Sequence, residues 1–116
     1  MTRLIYKILM PEADAQMRAD GQLAPSGVDA ADGFIHFSTA AQLSQTLDKH
    51  YAGHDALIIL EVGADILGDD LLWEVSRGGD LFPHLYAPFE TAHIAARFAL
   101  NAARDGLDGF LSGVAA

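Results

Sequence analysis

The sequence predicts a single α+β domain, and three observations carry that prediction. Apolar runs of strand length recur along the chain, capped helical segments lie between them, and 116 residues suffice for one modest core. A hydrophobic content of 51% excludes a disordered chain.

Residues 3–10 alternate and are rich in Leu, Ile and Tyr, which reads as a strand. Pro11 suits a first helical turn, and residues 12–20 follow as a short helix stopped at Gly21, with Glu12 and Asp14 near the positive end of its dipole. Residues 22–33 hold Pro25, Gly27, Asp29, Asp32 and Gly33 and read as a loop. Residues 34–37 form a short strand. Thr39 and Gln42 match a capping box for a second helix over residues 40–51, whose buried stripe is Leu43 and Leu47. Residues 56–62 are almost continuously apolar, as in a central strand buried on both faces. A turn region follows at 63–70, then a strand at 71–75, a turn at 77–80, and an extended segment at 81–88 broken by Pro83 and Pro88. Residues 91–100 fit two readings. Ile94 and Phe98 share a helix face and the alanines favour helix, yet Ile94, Ala96, Phe98 and Leu100 also alternate as a strand does. Asp105-Gly106 and Asp108-Gly109 mark tight turns, with Phe110-Leu111 as a last strand.

Charge and composition narrow the function classes. The net charge is −9, from 16 acidic and 7 basic residues, and the basic residues form no run. A phosphate backbone or an anionic membrane repels such a surface, so nucleic-acid and membrane partners are disfavoured. A small anionic ligand is not, because one local cation outweighs distant acids at physiological screening. The chain has no cysteine, which excludes disulfides, thiolate zinc sites and thiol nucleophiles. No signal-peptide core and no apolar stretch of spanning length occurs, so a soluble cytoplasmic protein is expected. No feature fixes an oligomeric state.

Two segments concentrate the chemistry, and we expect them to wall one polar pocket. In DGFIHFST (residues 32–39), His36 and Ser38 fall on one strand face with Phe34, and Ser38 or Thr39 opens a helix; Ile35 and Phe37 face the core. In FPHLY (residues 82–86), His84 and Tyr86 share a face, stiffened by Pro83 and Pro88. Glu74 and Trp73 point to opposite faces of their strand, and a pocket-facing Glu74 can act as a base or stabilise a cation. The bland alternatives are a satisfied histidine, a capping hydroxyl, a core tyrosine ring and a solvated Glu74 paired with Arg77. His50, His54 and His93 read as surface residues, and no metal-ligand spacing appears. Glycine-rich phosphate loops and nucleophile elbows are also missing.

These motifs, with the Ile5-Tyr6 strand, Glu74 and the final Asp-Gly turn, resemble domain of unknown function 952, a bacterial and plant family, over residues 3–110. Members of that family look like small relatives of the ADP-ribosyltransferase fold, so the resemblance implies a split-sheet α+β domain with two short helices. It further implies a nucleotide pocket, with NAD as the candidate cofactor. On that reading His36, His84 and Glu74 are the catalytic candidates, and Lys7, Ser38, Thr39 and Tyr86 the cofactor contacts. The family's first strand reads Tyr-His where this chain has Tyr6-Lys7, and an ammonium cannot accept a hydrogen bond as a neutral imidazole does. Ala87 likewise replaces a frequent glycine. The readings carried forward are an ADP-ribosyl-transferring or related enzyme, a non-catalytic metabolite-binding module, and a structural domain without ligand.

Overall fold

The computed structural model describes residues 3–112. Seven strands and four short α-helices follow in the order β1 (Leu4–Leu9), α1 (Pro11–Asp20), α2 (Gly27–Asp32), β2 (Ile35–His36), β3 (Ser38–Thr39), α3 (Ala40–His50), β4 (Ala56–Gly63), β5 (Leu71–Val75), β6 (Leu81–Leu85), β7 (Ala96–Asn101) and α4 (Leu107–Leu111) among the described residues. The strands form two small antiparallel sheets, ordered β3-β1-β4-β7 and β2-β6-β5. The α+β class and the division into two sheets are therefore present.

Strand alternation decides where each face of the larger sheet goes. Ile5 and Leu9 of β1, with Leu60 and Val62 of β4, pack against Ile35, Leu71 and Leu85 of the smaller sheet and against Met17 of α1. Tyr6, Ile8, Leu57, Ile59 and Leu100 face the other way and are covered by Leu43 and Leu47 of α3 and Leu107 of α4. Lys7 belongs by register to the first of these faces, opposite Leu60, so a cation is built into the space between the sheets. At the far end of that space the Arg3 guanidinium stacks 4.0 Å from the centroid of Trp73.

Three expectations need correction, and one open reading, helix or strand for residues 91–100, is decided. The segment 22–33 is not all loop, because α2 occupies residues 27–32. Pro25 and Gly33, which look like breakers, bracket a helix: Gly33 closes it at φ 82°, its N–H bonded to the Asp29 carbonyl. The single strand expected at 34–37 is two strands in different sheets. The chain crosses between them at Phe37, whose N–H donates to the Pro83 carbonyl at 3.0 Å. Residues 96–101 are a strand despite their alanines, since β4 needs a second neighbour and Phe98 and Leu100 fill the helix-side core. Phe110-Leu111 belongs to α4, where Phe110 stacks on Phe98 at 5.0 Å and meets the Tyr6 ring edge-on at 6.0 Å. The Asp105-Gly106 turn is present, with Gly106 at φ 79°, where a Cβ would press 3.4 Å from the Phe98 ring. The two expected helices, at 12–20 and 40–51, are present at Pro11–Asp20 and Ala40–His50, and the described residues hold four α-helices.

No helix of the described residues is long and apolar enough to cross a membrane. No group of three or more His, Asp or Glu side chains among them is placed to hold a metal ion.

Leu60 is fully buried between the sheets. Leu60→Ala should lower stability by about 2–5 kcal/mol, read in urea unfolding as a lower midpoint with an unchanged slope.

Candidate functional site

β3 pairs only with Ile5 and Tyr6, whereas β4 pairs with β1 as far as Leu9. β1 therefore runs on past its short neighbour, and a cavity of about 510 Å³ opens beside it, walled by Tyr6, Lys7 and Ile8 on that side. His36, Ser38 and His84 line the same cavity. His36 and His84 are cross-strand partners of β2 and β6, with ring centroids 5.3 Å apart. They share the outward face of the small sheet because Ile35 and Leu85, one residue away on each strand, are committed to the core.

At the cavity floor stands Asp29 of α2, which is 6% exposed. Its Oδ2 accepts from Lys7 Nζ at 2.7 Å; its Oδ1 lies 2.6 Å from His36 Nδ1 and accepts from the His36 backbone N–H at 3.1 Å. Lys7 Nζ donates also to the His36 carbonyl at 3.1 Å. His36 Nε2 meets Asp32 Oδ2 at 3.0 Å, so both ring nitrogens face a carboxylate. Only the imidazolium can donate at both. Burial pushes the Asp29 carboxyl up, but the His36 hydrogen bond and the Lys7 charge outweigh it and hold Asp29 below its ordinary value. Burial lowers the Lys7 ammonium, and Asp29 offsets part of that shift.

Ser38 Oγ lies 3.0 Å from Thr46 Oγ1, and Thr46 donates to the Gln42 carbonyl at 3.1 Å. With the threonine proton committed, Ser38 donates to Thr46 and keeps its lone pairs for the cavity. Thr39 is the cap of α3, accepting from the Gln42 N–H at 3.2 Å while Gln42 Oε1 accepts from the Thr39 N–H.

Thr39, Glu74 and Tyr86 do not line the cavity. Glu74 and Tyr86 stand behind His84: Glu74 Oε1 is 2.8 Å from His84 Nδ1 and accepts the Tyr86 hydroxyl at 2.6 Å. The Tyr86 and His84 hydrogen bonds hold Glu74 below the ordinary carboxylate value, and the bond to Glu74 raises Tyr86. Phe34 packs over this group, its centroid 4.1 Å from His84, 4.5 Å from His36 and 5.1 Å from Tyr86. Trp73 packs on the core, opposite Glu74 as expected. The Arg77 side chain, the alternative partner of Glu74, lies outside the described residues.

Sequence reasoning missed Asp29, Lys49 and His50. The last two border the cavity at the end of α3, where His50 is exposed, as expected. The cavity thus takes two of the chain's seven Lys and Arg residues (Lys7, Lys49) and three of its five histidines (His36, His50, His84), against Asp29 and Asp32. The one available signal for Asp29 was Lys7 itself, because a lysine inside a buried strand requires an acid.

Fold and cavity together define a small α+β protein with a pocket of mixed polar and apolar lining that opens beside a short edge strand. The family model for Protein of unknown function (DUF952) matches residues 8–97, and the chain belongs to that family. The structure is similar to the crystal structure of protein CC0527 from Caulobacter crescentus, at 41% identity and TM-score 0.85 over 94% of this chain and 98% of that one. It is similar also to the solution NMR structure of CC0527, at 44% identity and TM-score 0.77 over 84% of each chain. No curated protein matches.

Asp29→Asn should cost about 3–5 kcal/mol at neutral pH, because it leaves the Lys7 ammonium uncompensated in the interior. The folded-state value of Asp29 is depressed, so its stabilisation is complete above the unfolded value of about 3.9 and is lost as pH falls through the lower folded value. Urea unfolding against pH should show an acid limb that is shallower in Asp29→Asn than in the wild type.

Proposed function

We propose that the cavity is a small-molecule site for an anionic ligand of the nucleotide class, with NAD as the first candidate. The observation that carries this reading is the convergence of Lys7, His36, Ser38 and His84, from four different strands, on one cavity. Its volume of about 510 Å³ falls within the range of roughly 300–1,000 Å³ typical of ligand sites. Two lysines balance two aspartates in the cavity, so it is locally near neutral in a chain of charge −9, and Lys49 with the histidines can meet an anion there despite the distant acids. The resemblance to ADP-ribosyltransferase-like proteins supports the nucleotide and, within that class, NAD.

In this reading His36, pinned by Asp29 and Asp32, presents a fixed ring, and Ser38 offers lone pairs to a ribose hydroxyl. Lys49 and His50 at the mouth meet phosphate oxygens. Lys7 acts through Asp29 and the His36 carbonyl, to which its ammonium is already bonded, and sets the charge of the floor. Thr39 stays a helix cap, and Glu74 and Tyr86 act on His84 from behind. That commitment of Lys7 also favours a second reading, a pocket that holds its metabolite without turnover; long incubation with NAD that yields no product would select it.

Thermal unfolding with and without NAD tests the proposal. Saturation at 100 times Kd adds about 2.7 kcal/mol, which for a chain of this size raises Tm by on the order of 10 °C. A Tm unchanged by millimolar NAD would end the NAD assignment.

A further inference from the structure

We infer that Glu74 and Tyr86 position His84 as the proton acceptor of the cavity, with the lone pair of Nε2 directed at the ligand. This rests on the reading of the cavity as a ligand site and adds a reaction to it. His84 is 5% exposed and lines the cavity. Its Nδ1 lies 2.8 Å from Glu74 Oε1. An ionised carboxylate only accepts hydrogen bonds, so the neutral ring carries its proton on Nδ1 and its lone pair on Nε2. Nε2 has no hydrogen-bond partner among the described residues.

Two contacts keep the ring from turning. Glu74 is held by a second donor, the Tyr86 hydroxyl at 2.6 Å on the same oxygen. Phe34 covers the imidazole at 4.1 Å. The register also favours it: Glu74 sits opposite Phe82, one diagonal step from His84 on the same face of the sheet. Glu74 and Tyr86 stay outside the cavity, so they are positioning residues, and His84 is the group that meets the reacting hydroxyl.

The step this arrangement performs is proton removal from water or from an alcohol of the ligand. As that oxygen bonds to an electrophilic carbon or phosphorus, its proton passes to His84 Nε2. The bond from the electrophilic atom to its leaving group breaks, and the leaving group departs with the electron pair. The imidazolium then returns the proton to the leaving group or to solvent. The reaction class is hydrolysis or transfer to a hydroxyl.

Nitrogen-15 NMR of the neutral imidazoles, with NAD as the turnover probe, tests the inference. The wild type should show His84 as the Nδ1–H tautomer and should release nicotinamide from NAD into water. The Glu74 side chain is 38% exposed and Tyr86 44%, so both sites tolerate substitution. Glu74→Met should shift His84 toward the Nε2–H tautomer and slow nicotinamide release by on the order of 10²-fold, while the rise of Tm with NAD remains. Tyr86→Phe should keep the tautomer and lose less rate. The inference is overturned if wild-type His84 carries its proton on Nε2, if Glu74→Met leaves turnover unchanged, or if NAD raises Tm without release of nicotinamide. A Tm indifferent to NAD sinks the nucleotide reading instead, and the tautomer then decides the positioning of His84.

Discussion

Lys7 sits in a strand that is otherwise Leu, Ile and Tyr, on the face turned toward the gap between the sheets, and its ammonium must be neutralised there. Asp29 does this at 2.7 Å, and the requirement organises everything around it. An unpaired charge at that depth costs several kcal/mol, so α2 is drawn in until its carboxylate reaches the strand. The second oxygen of Asp29 then takes the ring and backbone N–H of His36. One ion pair thus locks a helix, a strand of the large sheet and a strand of the small sheet to each other.

The crossing at Phe37 makes the cavity from this scaffold. Because β2 and β3 are each two residues long and belong to different sheets, neither extends far enough to cover the end of β1. The uncovered stretch is polar at Lys7 and is faced by His36, Ser38 and His84. Behind that wall a second polar group, Glu74 with Tyr86, reaches the cavity only through His84. The site therefore has two layers of different character. The floor at Asp29 is buried and charge-balanced, and the support at Glu74 is partly open to solvent and adjusts one imidazole.

Much of this was legible in the residues. Alternation placed Ile35 and Phe37 inward and His36 outward, the capping box at Thr39 and Gln42 is present, and the two motifs share one side of the small sheet. What was not legible depended on contacts far apart in sequence. Asp29 gives no local sign of being buried, since its partner is 22 residues away. Residues 96–101 follow alanine propensity toward helix until β4 supplies a sheet edge. Phe110 becomes helical because Phe98 and Tyr6 offer it a surface. The break at Phe37 is a single residue between two strand-like pairs, and no periodicity registers so short an interruption.

The five histidines provide the most direct test of a shared cavity, because three line it and two do not. Titration of isotope-labelled protein with NAD, followed through the imidazole carbon and proton resonances, should move His36, His84 and His50 together with one dissociation constant. His54 and His93 should stay in place. Shifts confined to His54 or His93, or shifts of His36 and His84 with unrelated affinities, would contradict a single site built on Lys7 and Asp29.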